Sequence, residues 1–351
     1  MSRELVIALI LALTLTGLGF VLRKQDAAEA SEYLQPVLNQ SERDSLRVAA
    51  VSFSAPGTTQ EHLYLYRDGQ WLCTSVYNAI ALTSEIEALV GELAGSYAHI
   101  VADERQASAY GLASGDVLVT RLHGADVGSA ADRDVLLELE LGHSLSGLGA
   151  GRSFARIAGR KEIIEIDQNP RARLLTPSEK RLPPLLDERL LAGEWPDRGS
   201  GLERAFIDFT DGRSIEINSR VNGLPPGPGL PAPREWIATE DDQTARCLPY
   251  RIGAWQSFLY HVPYQGLSDP AAAQKRGLDQ PTATITLIQV KGAPVELVIG
   301  RAAPSGSTFV LNKKTNLLCL LEKEHAELLI GSVERLCSTD ILNPWEAWLP
   351  K

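Results

Sequence analysis

The chain has 351 residues, 44% of them apolar and 22% charged, with a formal net charge of −10. This length and balance describe a folded chain with room for two ordinary domains and exclude a disordered one. An acidic body without a basic stripe argues against nucleic acid and against an anionic lipid surface as partners.

Leu5–Leu22 carries no charged side chain. As a helix it would run about 27 Å, close to the hydrocarbon thickness of a bilayer. Ala28-Glu29-Ala30 supplies the rival reading, a cleaved signal peptide. The apolar run is longer than the usual signal core, however, and Arg23-Lys24 stands between it and the cleavage motif. Residues 1–25 are therefore read as a transmembrane anchor and 26–46 as a membrane-proximal segment. Arg23 and Lys24 on one side against Arg3 and the amino group on the other do not orient the anchor, so charge alone leaves the body on either side.

The body repeats itself. In residues 47–167, alternating stretches Val48–Phe53 and His62–Tyr66 predict strands, and a tight Asp68-Gly69 turn leads to a third strand through Trp71. Ile86, Leu89, Val90 and Leu93 mark a helix, and a short helix closes at Gly111-Leu112. Strands follow at Asp116–Leu122, at Leu137, Leu139 and Leu141 ending in Gly142, at Phe154–Ile157 and at Glu162–Ile166. Residues 168–204 are a linker rich in proline and charge, in which Leu185–Leu191 predicts a helical turn or two. Residues 205–337 then replay the pattern: Ala205–Phe209, Ser214–Asn218, Trp236, and a helix with Ile252, Trp255, Phe258 and Leu259. Asp269-Pro270 opens a short helix closed by Gly277-Leu278, and Pro281 prevents its continuation. Thr282–Gln289, Val295–Ile299 ending in Gly300, Phe309–Leu311 and Leu317–Leu321 complete the copy. The expected fold is α+β: an N-terminal transmembrane helix, then two tandem copies of a module in which a helix covers an antiparallel sheet.

Two features occur once. The second copy inserts Arg220–Glu235, with Pro225, Pro226 and Pro228, which predicts a partly polyproline-like surface loop. The tail 338–351 carries Trp345 and Trp348, three apart and so on one side of a helical turn. Packing on the body's own core and docking to a partner or membrane interface are both consistent with such a pair; loop and tail are the candidate partner-binding residues.

Chemistry is hard to find. Gly142-His143-Ser144-Leu145-Ser146 fails the nucleophile-elbow spacing and follows an antiparallel strand. The glycines of 147–151 lead into a strand pattern, not a helix, which argues against a phosphate loop. Glu138 and Glu140 alternate with leucines and belong to a solvated sheet face. Glu240, Asp241 and Asp242 are expected to precede the second helix and complement its dipole. The six histidines are dispersed, without HxH or HExxH. Cys73, Cys247, Cys319 and Cys337 form no CxxC; in an exported chain they permit one or two disulfides, with three connectivities open if all four pair. No catalytic, cofactor or metal residue is assigned.

The pattern of tryptophan strand, helix, Asp269-Pro270-Ala271-Ala272-Ala273, Gly277-Leu278-Asp279, Pro281, alternating strand, Leu297–Gly300 and Asn312…Thr315-Asn316-Leu317 resembles the domain of unknown function 4340 family. The second copy carries it best. The first keeps Tyr110-Gly111-Leu112 but has Ala113–Asp116 where the family has an acidic residue and proline. The resemblance implies no catalytic residues. It implies an anchored extracytoplasmic body beside ABC-type transport systems, at the inner membrane with the body in the periplasm or extracytoplasmic space. The expected function is a non-enzymatic accessory or scaffold in contact with transporter subunits, without cofactor. The alternative is a cell-envelope hydrolase or ligand-binding protein with a cleft between the copies.

Overall fold

The computed structural model describes residues 35–337 apart from 59, 114, 125–133, 146–150, 176–181, 194–200, 222–233, 242, 291 and 304. It is a mixed α/β structure of two mostly antiparallel sheets with few helices. Two compact units divide it: one takes the chain up to Leu63 with Ser84–Thr176, the other takes Tyr64–Thr83 with the chain from Pro177. Among the described residues no helix is long and apolar enough to cross a membrane, and Leu5–Leu22 lies outside them.

The first unit begins with β1 (Gln35–Pro36), helix α1 (Gln40–Ser45), β2 (Ala50–Ser54) and the start of β3 (Glu61–Arg67). The chain then supplies β4 (Gln70–Cys73) and β5 (Ala79–Ile80) to the second unit and returns through helix α2 (Thr83–Gly95). Next come β6 (Tyr97–Asp103), a 3₁₀ segment at Glu104–Tyr110, β7 (Leu118–His123), β8 (Val135–Ser144), β9 (Ser153–Ile157), β10 (Glu162–Ile166) and helix α3 (Pro170–Leu174). The strands stand in the order β1-β6-β10-β9-β8-β7-β2, with β3 following. Period-two alternation buries Val51, Phe53, Leu118, Leu122, Leu139 and Leu141, while Ile86, Leu89 and Leu93 of α2 bury one helical stripe. Glu138 and Glu140 occupy the opposite face of β8, bonded to Arg121 at 2.7 Å and Arg156 at 2.6 Å.

In the second unit a two-residue turn joins β3 to β4, with Asp68 at φ 50° and Gly69 at φ 81°. Its main sheet is built from β11 (Leu202–Phe209), β12 (Ser214–Val221), β13 (Arg234–Glu240), β14 (Gln243–Cys247), β15 (Gly266–Ser268), β16 (Ala283–Gln289), β17 (Val295–Ala302), β18 (Thr308–Asn312) and β19 (Leu317–Leu321). Helix α4 (Pro249–His261) follows β14, and α5 (Lys323–Ile330) and α6 (Val333–Cys337) follow β19. The order is β14-β13-β12-β11-β16-β17-β18-β19-β15. Ile252, Trp255 and Leu259 of α4 are buried with Ile207, Ile285, Leu287, Leu297 and Ile299.

Three expectations are corrected. A strand, β5 or β14, stands between each tryptophan strand and the helix that follows it. Glu240 and Asp241 consequently belong to the β13–β14 hairpin, with Asp241 at φ 45°, and do not precede α4, whose N-cap is Leu248 without a side-chain bond. The third correction is Leu185–Leu191, which is not helical. It forms an extended strap bridged at Leu186 to Ala81 and at Arg189 to Pro263. The helical reading overlooked that Leu186, Leu190 and Leu191 are all buried, and that their spacing also suits a strap covered on more than one side.

Candidate functional site

The two Gly-Leu elements end 3₁₀ segments in the same way. Gly111 (φ 71°) and Gly277 (φ 77°) take the left-handed conformation. The amides of Leu112 and Leu278 reach back to the carbonyls of Ala107 and Ala273, at 2.9 and 3.2 Å. Those of Gly111 and Gly277 reach Ser108 and Gln274. This is the double bond pattern of a Schellman cap. Each cap lies against a glycine near the end of an alternating strand, Gly142 in β8 and Gly300 in β17. A Cβ on Gly142 would come within 2.2 Å of the Tyr110 carbonyl oxygen, and one on Gly300 within 3.1 Å of that of Arg276. The residue before each cap glycine lies on an aromatic ring: Tyr110 edge-on to Phe154 at 4.7 Å, and the Arg276 guanidinium 4.8 Å from the centre of Phe309. Periodicity carried no sign of these contacts.

Trp71 is 4% exposed, with Tyr66 tilted against it at 5.3 Å. Trp236 is half-buried and stands in register between Ser219 and Cys247. Pro281, half-buried, precedes β16 and its carbonyl accepts from the Thr210 hydroxyl. Leu112 is buried and Leu278 half-buried. Trp345, Trp348, Pro225, Pro226 and Pro228 lie outside the described residues.

The strap and the Pro184 that precedes it are held by buried polar contacts. Two fully buried tyrosines hold them, Tyr64 donating to the Pro184 carbonyl and Tyr264 to that of Asp187 at 3.1 Å. The Asp187 amide donates to Ile80 and the Leu190 amide to Val262. Arg189 folds back on the Asp187 carboxylate, its Nε at 2.7 Å, and stacks 4.9 Å from the Tyr260 ring centre. The bond to Asp187 holds the Arg189 guanidinium well above its ordinary pKa, against the opposing effect of burial. Asn312 is fully buried: its Nδ2 donates to the Leu190 carbonyl and its Oδ1 accepts from the Lys314 and Thr315 amides. Asn316, at φ 53°, then turns the chain into β19.

In the first unit Ser52, His123, Glu61, Arg121 and Glu138 assemble a network that the sequence did not single out. Ser52 Oγ donates to Glu61 at 2.7 Å and lies 3.0 Å from His123 Nε2. Arg121 bonds Glu138 at 2.7 Å and Glu61 at 3.1 Å. Burial works against the Arg121 charge, but the bonds to Glu138 and Glu61 outweigh it and raise its pKa. Ser52 is 1% exposed, so its hydroxyl, held between the Glu61 carboxylate and the His123 ring, faces the interior of the unit. The network cross-links β2, β3, β7 and β8.

An open cavity of about 780 Å³ lies where β1, β6 and β10 meet, with Pro36, Val37, Ile157 and Ile164 as apolar lining and Arg160 and Glu162 at its rim. Among the described residues β1 pairs with β6 at Tyr97 and Ala98. Ile100, just beyond, is 66% exposed. Among the described residues no group of three or more His, Cys, Asp or Glu side chains is placed to hold a metal ion. Comparison of the chain with family models, with curated proteins and with solved structures returns no match.

Proposed function

We propose that the protein is a non-enzymatic accessory or scaffold, anchored in the cytoplasmic membrane by residues 5–22, whose body is two tandem copies of one α+β module. The body stands on the extracytoplasmic side and contacts subunits of an ABC-type transport system. The observation that carries the duplication is strand order. One sheet runs β6-β10-β9-β8-β7-β2-β3-β4-β5 and the other β15-β19-β18-β17-β16-β11-β12-β13-β14, the same order of elements, with β6 matching β15 at one end and β5 matching β14 at the other. Registers agree as well: Leu118 faces Leu141 and Thr120 faces Leu139, as Ala283 faces Ile299 and Ile285 faces Leu297. Both eighth-to-ninth and seventeenth-to-eighteenth strand ladders carry an irregularity just after that point.

The duplication supports a scaffold because the polar side chains are engaged in holding sheets together. Carboxylates such as Glu138, Glu140 and Glu296 sit in cross-strand ion pairs with Arg121, Arg156 and Lys313. The resemblance to the domain of unknown function 4340 family supports the extracytoplasmic side and the transporter partner. The test is detergent extraction of membranes carrying the full chain or a form without residues 1–25, followed by affinity capture. Recovery of integral transporter subunits with the full chain, and their loss with the shortened one, is the expected result. Recovery of the full chain alone, or protection of its body from protease in intact cells stripped of outer layers, would overturn the proposal.

A further inference from the structure

Cys247 ends β14 and Cys337 ends α6, 90 residues apart, and their Sγ atoms lie 3.1 Å from one another. That is about 1 Å more than a sulfur–sulfur bond, a gap that small side-chain rotations close. The backbone around them is already fixed. The Leu248 amide donates to the Leu336 carbonyl at 3.1 Å, and Arg251 Nη1 donates to that of Arg335 at 2.7 Å. Leu336 is fully buried beside them. The other two cysteines are spent elsewhere: Cys73 and Cys319 are fully buried, Cys73 against the Ser75 hydroxyl.

We infer that Cys247 and Cys337 are a disulfide-forming pair that locks α6 onto the edge strand β14. The inference narrows the open cysteine pairing to one bridge and rests on the proposed extracytoplasmic placement only for its oxidant, a small-molecule or protein disulfide. Cys337 is the attacking group: it is half-exposed where Cys247 is 2% exposed. The contact with Cys247, with Arg251 helping, lowers its thiol pKa, while that same contact and burial raise the Cys247 thiol. The Cys337 thiolate attacks the oxidant disulfide, forming a mixed disulfide and releasing one thiolate. Cys247 then gives up its proton and attacks the Cys337 sulfur, which displaces the second thiolate. Two protein thiols are oxidised, one external disulfide is reduced to two thiols, and the two protons end on the leaving groups. The closed loop contains α4 and β15–β19, so oxidation restrains most of the second sheet in the unfolded chain.

The test uses the purified full chain, reduced and then titrated with oxidised glutathione. Peptide mapping without reductant should find Cys247 joined to Cys337, and the thermal midpoint should rise by about 5 °C or more. Cys337→Ser and Cys337→Ala should lose both effects, while Cys73→Ser should keep the cross-link. Persistent alkylation of both thiols at the end of the titration, arrest at a glutathione adduct of Cys337, or a cross-link to Cys73 or Cys319 would overturn the pairing. Trapping thiols in intact cells separates the two readings. A bridge formed in the tube but absent in cells supports the pair and counts against the extracytoplasmic placement.

Discussion

Asn312 Nδ2 donates to the carbonyl of Leu190, 122 residues earlier, at 3.3 Å. The same side chain accepts from the amides of Lys314 and Thr315, so one buried amide closes the β18–β19 turn and fixes the strap. Asn312→Ala leaves a buried carbonyl and two amides to find new partners, and is expected to cost about 2–3 kcal/mol in urea denaturation. Asn316→Gly, by contrast, suits the φ of 53° and should be neutral within about 0.5 kcal/mol. Equal losses for the two would show that the strap bond contributes nothing.

Gly142 and Gly300 close the same contact with different clearance. Alanine at 142 would drive its Cβ to 2.2 Å from a carbonyl oxygen, which backbone must move to accommodate; at 300 the approach is 3.1 Å. Gly142→Ala should therefore cost about 3 kcal/mol and Gly300→Ala about 1 kcal/mol. Denaturation midpoints of the two variants, measured side by side, check the order. A reversed order would count against the packing of the first cap.

His62 sets a pH dependence. Burial lowers its pKa below 6.5, its ring lies 5.2 Å from that of Phe53, and its Nδ1 has no hydrogen-bond partner. The unfolded chain therefore binds the proton more readily than the folded one. The sign follows: stability is full above about pH 6.5 and falls as the pH drops below it. His62→Gln should flatten the midpoint-against-pH curve below about pH 6.5. An unchanged slope would show that His62 is not the titrating group.

The tail tryptophans are tested by Trp345→Ala combined with Trp348→Ala. If they dock a partner, the variant keeps its melting temperature and loses co-purification of the membrane subunits. A fall of many degrees would make them core residues of the body instead.

Much of the sheet architecture was legible because alternation and helical periodicity report burial directly. Leu137, Leu139 and Leu141, like Val295, Leu297 and Ile299, faced inward as their spacing required. The missed elements share a cause. β5 is two residues long and β14 reads QTARC, with only Cys247 buried, so neither carries a periodic signal. The strap was misread because a leucine cluster cannot tell a helical turn from an extended segment covered by Tyr64 and Tyr264. The approach of Cys247 to Cys337 depends on where α6 comes to rest, which no local pattern encodes.

The strap also sets an order of events during synthesis. Tyr64 finds its acceptor at Pro184, 120 residues later. At ordinary rates of translation that interval is roughly 6 to 24 seconds. Through it, the buried faces of Tyr64, Trp71 and Cys73 wait for a part of the chain that does not yet exist. The hairpin is made early and covered only once the strap has emerged, and a nascent chain stalled before Pro184 carries an unfinished apolar surface.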